Sequence, residues 1–230
     1  ASVILKDLAP FVPALSRFEE PLDLNLVFSG HGKHLDCPTL RLTNHHGLMI
    51  AGEAALSNWD AGMDMYIYGK LGNLTMTKEG INVLMTNLTG KVPPILQRLD
   101  YIRFNGEAAG YLHDLTLTGL FHTGAGMVKT DVMMSIDEQS MSRTYSGSVA
   151  SADLDLGKLL NQEKKFGKVD FNVELKGFNY KNRYPESYIK GIISSFEYSQ
   201  YQYENIMLDG VYKDGGFNGR LSMDDANGSV

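Results

Sequence analysis

Alternation of apolar and polar residues with a period of two runs through most of this chain, and it limits the fold more than any other feature, because only a strand with one buried face needs it. In "KVDFNVELKG" the residues Val169, Phe171, Val173 and Leu175 point one way while Asp170, Asn172, Glu174 and Lys176 point the other. "MVKTDVMMSI" places Val128, Val132, Met134 and Ile136 on one face with Thr130, and "LDLNLVF" does the same with Leu22, Leu24, Leu26 and Phe28. The closing stretch from Tyr203 reads as two strands joined at Lys213-Asp214-Gly215-Gly216, with Ile206, Leu208 and Tyr212 on one face of the first and Phe217, Leu221 and Met223 on one face of the second. Gly, Asn and Asp at "GLFHTGAG", "KDGG" and "LTNHHG" accept turn conformations cheaply and mark hairpins. The expected architecture is an all-β antiparallel meander.

Three segments break the alternation: "LKDLAPFVPALSR" from Leu5, "LTGKVPPILQRL" from Leu88 and "DLDLGKLLNQEKKFG" from Asp153. Each has room for one or two helical turns. Prolines confine the first two to short pieces, and in the third Asp155 is placed to cap a turn carrying Leu156, Leu159 and Leu160. After each break comes a strand with an apolar residue, Asn, four residues and Gly: Asn25 to Gly30, Asn105 to Gly110 and Asn172 to Gly177. These copies lie 80 and 67 residues apart, which fits a helical linker plus about five strands. The expectation is one continuous β region over 1–230 with approximate units 5–87, 88–152 and 153–230.

An array of this kind has to hide its apolar faces. It can fold over on itself, stack a second sheet, or be filled by a non-protein ligand. Burial alone favours a closed sandwich. A groove suits acyl chains, since each buried methylene contributes about 0.8 kcal/mol. The remaining bounds come from composition. With 43% hydrophobic and 21% charged residues in 230, the chain is globular rather than disordered. Its net charge of −6 is interspersed, without the basic stripe that a phosphate backbone demands, so no nucleic-acid partner is expected. No apolar run approaches the roughly 18 residues of a membrane-spanning helix, and no signal peptide opens the chain. The lack of an initiator Met and the strand-like ending suggest a piece of something longer. Cys37 is a single cysteine, which permits no internal disulfide and leaves the redox compartment open.

"YSGSVASADLDLGKLLNQEKKFGKVDFNVELKG", with "ISSFEYSQYQYENIMLDGVYKDGGFNGRLSMDDANG" after it, resembles the TamB family of Gram-negative envelope proteins, and "LKDLAPFVPAL" and "ILQRLDYIRFNGEAAGYLHDLTLTG" fit the same pattern. The resemblance covers most of the chain and is most specific from Tyr145 to Gly228. It implies an AsmA-like, repeating β-groove segment of a long periplasmic protein held in the inner membrane by an N-terminal helix. It also implies a C-terminal domain meeting an outer-membrane assembly-factor barrel; neither this nor the anchor falls within the chain. The implied fold is an extended, U-shaped β-groove (β-taco) with an apolar concave face and short helical linkers, and the implied activity is phospholipid transfer between the membranes. Groove-lining residues on this reading are Leu24, Leu26, Phe28, Val132, Met134, Ile136, Phe171, Val173, Leu175, Ile206, Leu208, Tyr212, Phe217, Leu221 and Met223. An older view of the family, as a helper in outer-membrane protein insertion, gives the alternative: open edge strands that capture nascent β-barrel chains by strand addition.

Chemical motifs are sparse. "HGKHLDC" gathers His31, His34, Asp36 and Cys37, with His45 and His46 just beyond, all zinc-competent types. One loop seldom supplies a whole tetrahedral site, so a polar loop is the favoured reading and no metal is expected. "SGHGKH" lacks the context of a phosphate loop, and "YSGSVAS" lacks a nucleophile elbow. Sequons stand at Asn73, Asn87 and Asn227, without meaning in a bacterial envelope protein. The aromatic run "FEYSQYQYENI", with Phe196, Tyr198, Tyr201 and Tyr203, has the makings of a stacking platform, but tyrosine's strand propensity explains it more simply. With no acid, base and nucleophile set beside a glycine-rich turn, neither catalysis nor a cofactor is expected.

Overall fold

A computed structural model describes residues 2–4, 6, 16–18, 21–137, 139–140, 142–179, 186–225 and 228–229. The chain is an open antiparallel meander curled about its apolar face, in which the long strands pair in chain order and the two ends do not meet. In order, the elements are β1 (Ser2–Ile4), β2 (Pro21–His31), β3 (His34–Thr43), β4 (Leu48–Ser57) and β5 (Tyr66–Thr77), then α1 (Lys78–Thr89) and α2 (Pro94–Gln97). Next come β6 (Tyr101–Tyr111), β7 (Asp114–Thr123), β8 (Gly126–Ile136), β9 (Arg143–Ala152), β10 (Leu154–Asp155) and α3 (Leu156–Leu160). The last group is β11 (Phe166–Asn179), β12 (Glu186–Tyr198), β13 (Tyr201–Lys213), β14 (Gly216–Asp225) and β15 (Gly228–Ser229).

Helical connections divide the long strands into three runs of four: β2–β5, β6–β9 and β11–β14. The spacing of the Asn signature suggested about five strands per unit; the structure has four. An even number has a physical consequence. Each run returns the chain to the rim where it began, so α1, α2 and α3 all stand along one side of the sheet. The signature asparagines Asn25, Asn105 and Asn172 begin the runs, on the first strand of each. Asn105 Nδ2 donates to the carbonyl of Gly72, 2.9 Å away, where β5 bulges between Leu71 and Leu74 against β6.

The helices follow local rules. Asp155 accepts the Lys158 amide at 2.8 Å and caps α3 as the sequence suggested, and α2 is a single short piece behind Pro93. The first break, from Leu5, lies mostly outside the described residues. Sequence reading missed α1, the longest helix among the described residues. Its signals were present: Thr77 caps the first turn by accepting the Gly80 amide at 3.2 Å, and Gly90 closes the last turn with φ 78°.

The tightest packing sits at this helical rim. Ile81 of α1, 1% exposed, packs with Leu48, Met76, Leu99, Ile102 and Ala125. Leu159 of α3 joins the same cluster. Beyond the rim no second layer covers the apolar face among the described residues, so the closed sandwich favoured by burial alone is not the fold. The meander stays open because its four-strand runs never fold back on one another.

Candidate functional site: the apolar groove

Strand register sets the inner face, since cross-strand partners project the same way. One row crosses the sheet from Leu26 through Leu40, Gly52, Leu71, Gly106, Gly119, Thr130, Val149, Val173 and Gly191 to Leu208 and Leu221. Beside it runs Cys37, Ala54, Gly69, Ala108, Leu117, Val132, Gly147, Leu175, Ile189, Gly210 and Gly219. Nearer the helical rim lie Leu24, Leu42, Ile50, Leu74, Phe104, Phe121 and Val128, continued by Phe171, Ile193, Ile206 and Met223. Towards the opposite rim lie Leu35, Leu56, Ile67, Gly110, Leu115, Met134, Tyr145, Gly177, Ser187, Tyr212 and Phe217. No charged residue and no histidine occurs in these rows.

All fifteen residues expected to line a groove fall on this face. Phe28 reaches it because the bulge opposite, between Cys37 and Leu40 of β3, leaves the alternation of β2 intact, with Leu26 and Gly30 on either side. Ile136 follows Met134 outward to the rim, where its partner is Arg143. Several inward residues remain open to solvent: Phe28 is 64% exposed, Leu221 57% and Phe217 42%. Phe171, Val173, Ile189, Ile193, Leu208, Phe217 and Leu221, drawn from four neighbouring strands, surround an apolar hollow of about 330 Å³.

Glycine lets a ring of the hollow's wall lie down on the sheet. Gly210 and Gly219 face each other, and a Cβ on Gly210 would lie 2.7 Å from the ring of Phe217. The same arrangement stands nearer the chain's start, where the Phe104 ring would be 2.5 Å from a Cβ on Gly106 and 2.4 Å from one on Gly119. There the ring is buried, beside Phe121 at 4.5 Å between centroids, and the floor is filled. Over the last four long strands it is open.

The convex face is different in kind. Between the two central inner rows a charged row crosses it: Glu53, Lys70, Glu107, then Asp131, and further on Glu174, Lys190, Asp209 and Arg220. Opposite charges stand side by side, with Lys190 Nζ 3.5 Å from Asp209 Oδ2. The Tyr188 hydroxyl donates to Asp209 at 2.6 Å, and this bond, helped by Lys190 and Arg220, holds the Asp209 carboxyl below its ordinary range. Apolar side chains such as Ile192 and Met207 are exposed here too, but among these charges.

The zinc-competent residues are divided between the two rims. His31 and His34 flank the β2–β3 turn, whereas His45 and His46 lie in the β3–β4 turn at the other end of β3. His34 Nδ1 is 2.7 Å from Ser57 Oγ and its Nε2 is 2.9 Å from Asp36 Oδ2; His46 Nδ1 is 2.7 Å from Glu79 Oε1 of α1. Among the described residues no three His, Cys, Asp or Glu side chains gather at one point. Cys37 is buried on the inner face, its thiol donating to the Thr39 carbonyl at 3.3 Å. No described helix is long and apolar enough to cross a membrane.

Compared with known proteins, the chain matches no family model, no curated protein and no solved structure.

Proposed function

We propose that the chain is a segment of a periplasmic, envelope-spanning protein of the TamB type, and that its groove binds the acyl chains of phospholipid and conducts lipid between the inner and outer membranes. One observation carries this reading: a continuous inner face, four rows deep and free of charge, is not closed by a second sheet among the described residues and keeps Phe28, Phe217 and Leu221 open to solvent. A face of this kind is a ligand site of the type expected for apolar molecules. The sequence resemblance to the TamB family supplies the compartment, the inner-membrane anchor and the outer-membrane assembly-factor barrel as partners outside this chain.

Photo-crosslinking tests it. A crosslinking residue at Leu208 or Leu221 is expected to capture phospholipid in cells, and the same residue at Asp209 or Arg220 on the convex face is expected to capture none. Equal capture from both faces, or capture from neither, overturns the reading.

A second reading rests on the edges. Among the described residues, β14 is paired on its outer side only at Asp224 and Asp225, which leaves the backbone of Gly216–Met223 free there. Strand addition by a nascent outer-membrane β-barrel chain would use that edge. This scaffold reading expects crosslinks from β14 to unfolded barrel protein and no retained lipid in native mass spectrometry.

A further inference from the structure

We propose that the groove over the last four long strands holds an anionic amphiphile in one orientation, its acyl chain in the apolar hollow and its headgroup at an aromatic and lysine rim built around Lys165. The inference rests on the groove reading above and names where the polar end of the ligand sits.

The rim is assembled by irregularities in three strands. A register shift between Phe166 and Val169 keeps both residues on the inner face. A second shift, at Ser194 in β12 beside Asn205 in β13 with its φ of 52°, turns the alternation over. Without it Phe196, Tyr198, Tyr201 and Tyr203 would project from the convex face. With it they line the inner face, and Ser195, Gln202 and Glu204 form hydrogen bonds outside. The rings touch in series: Phe166 to Tyr198 at 5.4 Å, Phe196 to Tyr203 at 6.5 Å and Tyr201 to Tyr203 at 4.6 Å between centroids.

Lys165 stands over two of them. Its Nζ lies 5.5 Å from the Phe166 ring centre and 5.7 Å from that of Tyr198. Its backbone is held on both sides, the amide donating to Gln162 at 2.9 Å and the carbonyl accepting from Ser199 at 2.8 Å. The side chain is exposed and forms no ion pair among the described residues. Moving outward along β11 the inner face passes from Val173 and Phe171, in the hollow, over the buried Val169 to Phe166 and this ammonium. Aliphatic, aromatic and cationic surface in that order matches an acyl chain, its interfacial carbons and an anionic head. Because the chain's net charge is −6, bulk attraction for anions is absent and any preference for one has to be local.

Isothermal titration calorimetry with decyl phosphate, decyl maltoside and inorganic phosphate, each as free monomer, tests the assignment. Decyl phosphate is expected to bind about fivefold more tightly than decyl maltoside, with inorganic phosphate giving no heat. Lys165→Gln is expected to bring the two amphiphiles level, Lys165→Arg to preserve the preference, and Lys168→Gln, which removes a lysine paired with Asp153 at 2.8 Å, to leave it unchanged. Equal affinity in the unaltered protein, or a preference that survives Lys165→Gln, overturns the headgroup assignment while the groove reading stands. Tight binding of inorganic phosphate also overturns it, by showing a free-anion site. Failure of every amphiphile to bind overturns the groove reading itself, and the orientation with it.

Discussion

Lys158 Nζ of α3 lies 2.6 Å from Asp100 Oδ2, just ahead of β6, and 3.0 Å from the Gly124 carbonyl. Arg98 adds a hydrogen bond to the Leu159 carbonyl, so two helical connections separated by four strands are tied together along one rim. The Lys158 hydrogen bond, then its charge, holds the Asp100 carboxyl below its usual range. The contribution is therefore present above the carboxyl's unfolded pKa and is lost as pH falls through its lower folded value. The protection factors of the α3 amides, which remove the intrinsic pH dependence of exchange, are expected to fall on acidification in the unaltered protein, and to be low already at neutral pH in Asp100→Asn. An α3 equally protected in both at neutral pH would falsify the clamp.

A charge placed on the open groove should be tolerated by the fold. Leu221 is 57% exposed, so Leu221→Arg keeps its charge in water and is expected to change stability by less than about 0.5 kcal/mol. It is also expected to abolish lipid capture by a crosslinker at Leu208, its direct cross-strand partner. A closed core would respond in the opposite way, because an unpaired buried charge costs several kcal/mol. Urea denaturation paired with the crosslink assay separates the two outcomes, and an unfolded variant would refute an open groove.

Stability should instead reside at the helical rim. Ile81 is 1% exposed within the cluster of Leu48, Met76 and Ile102, so Ile81→Ala is expected to cost about 2–5 kcal/mol through lost burial and a cavity. Leu221→Ala should cost well under half of that. Comparable losses for the two variants in chemical denaturation would mean that the groove is packed as a core.

Glycine positions make a further contrast on the same face. At Gly106 a Cβ would meet the Thr118 carbonyl oxygen at 2.3 Å and the Phe104 ring at 2.5 Å, whereas at Gly69 nothing lies within 4 Å. Gly106→Ala is expected to destabilise by about 1–3 kcal/mol as the ring and ladder shift. Gly69→Ala is expected to fall within about 0.5 kcal/mol of the unaltered protein. Thermal unfolding of the pair checks this, and equal midpoints would contradict the packing of Phe104 over the glycines.

Alternation by itself determined most strands and most of the residues that share a face, because the period of two acts between neighbours in sequence and needs no tertiary knowledge, and Gly, Asn and Asp marked the turns. It placed Leu24, Val132, Phe171, Leu208 and Met223 together, and Asp155 announced α3 through its own hydrogen bond. The cap at Thr77 was equally local but lay ahead of the break read from Leu88, in a stretch given no element, so α1 went unseen. What alternation has no means of specifying is whether an apolar face closes: that depends on how whole strands stack, and burial by itself pointed to the sandwich. The pairing decided it: the long strands follow one another along a single open sheet, so no run stacks on another among the described residues, while the even count per run sends the helices to one rim. The inward turn of Tyr201 and Tyr203 was likewise a tertiary decision, since one extra residue at the Ser194 and Asn205 bulge reverses every side chain beyond it.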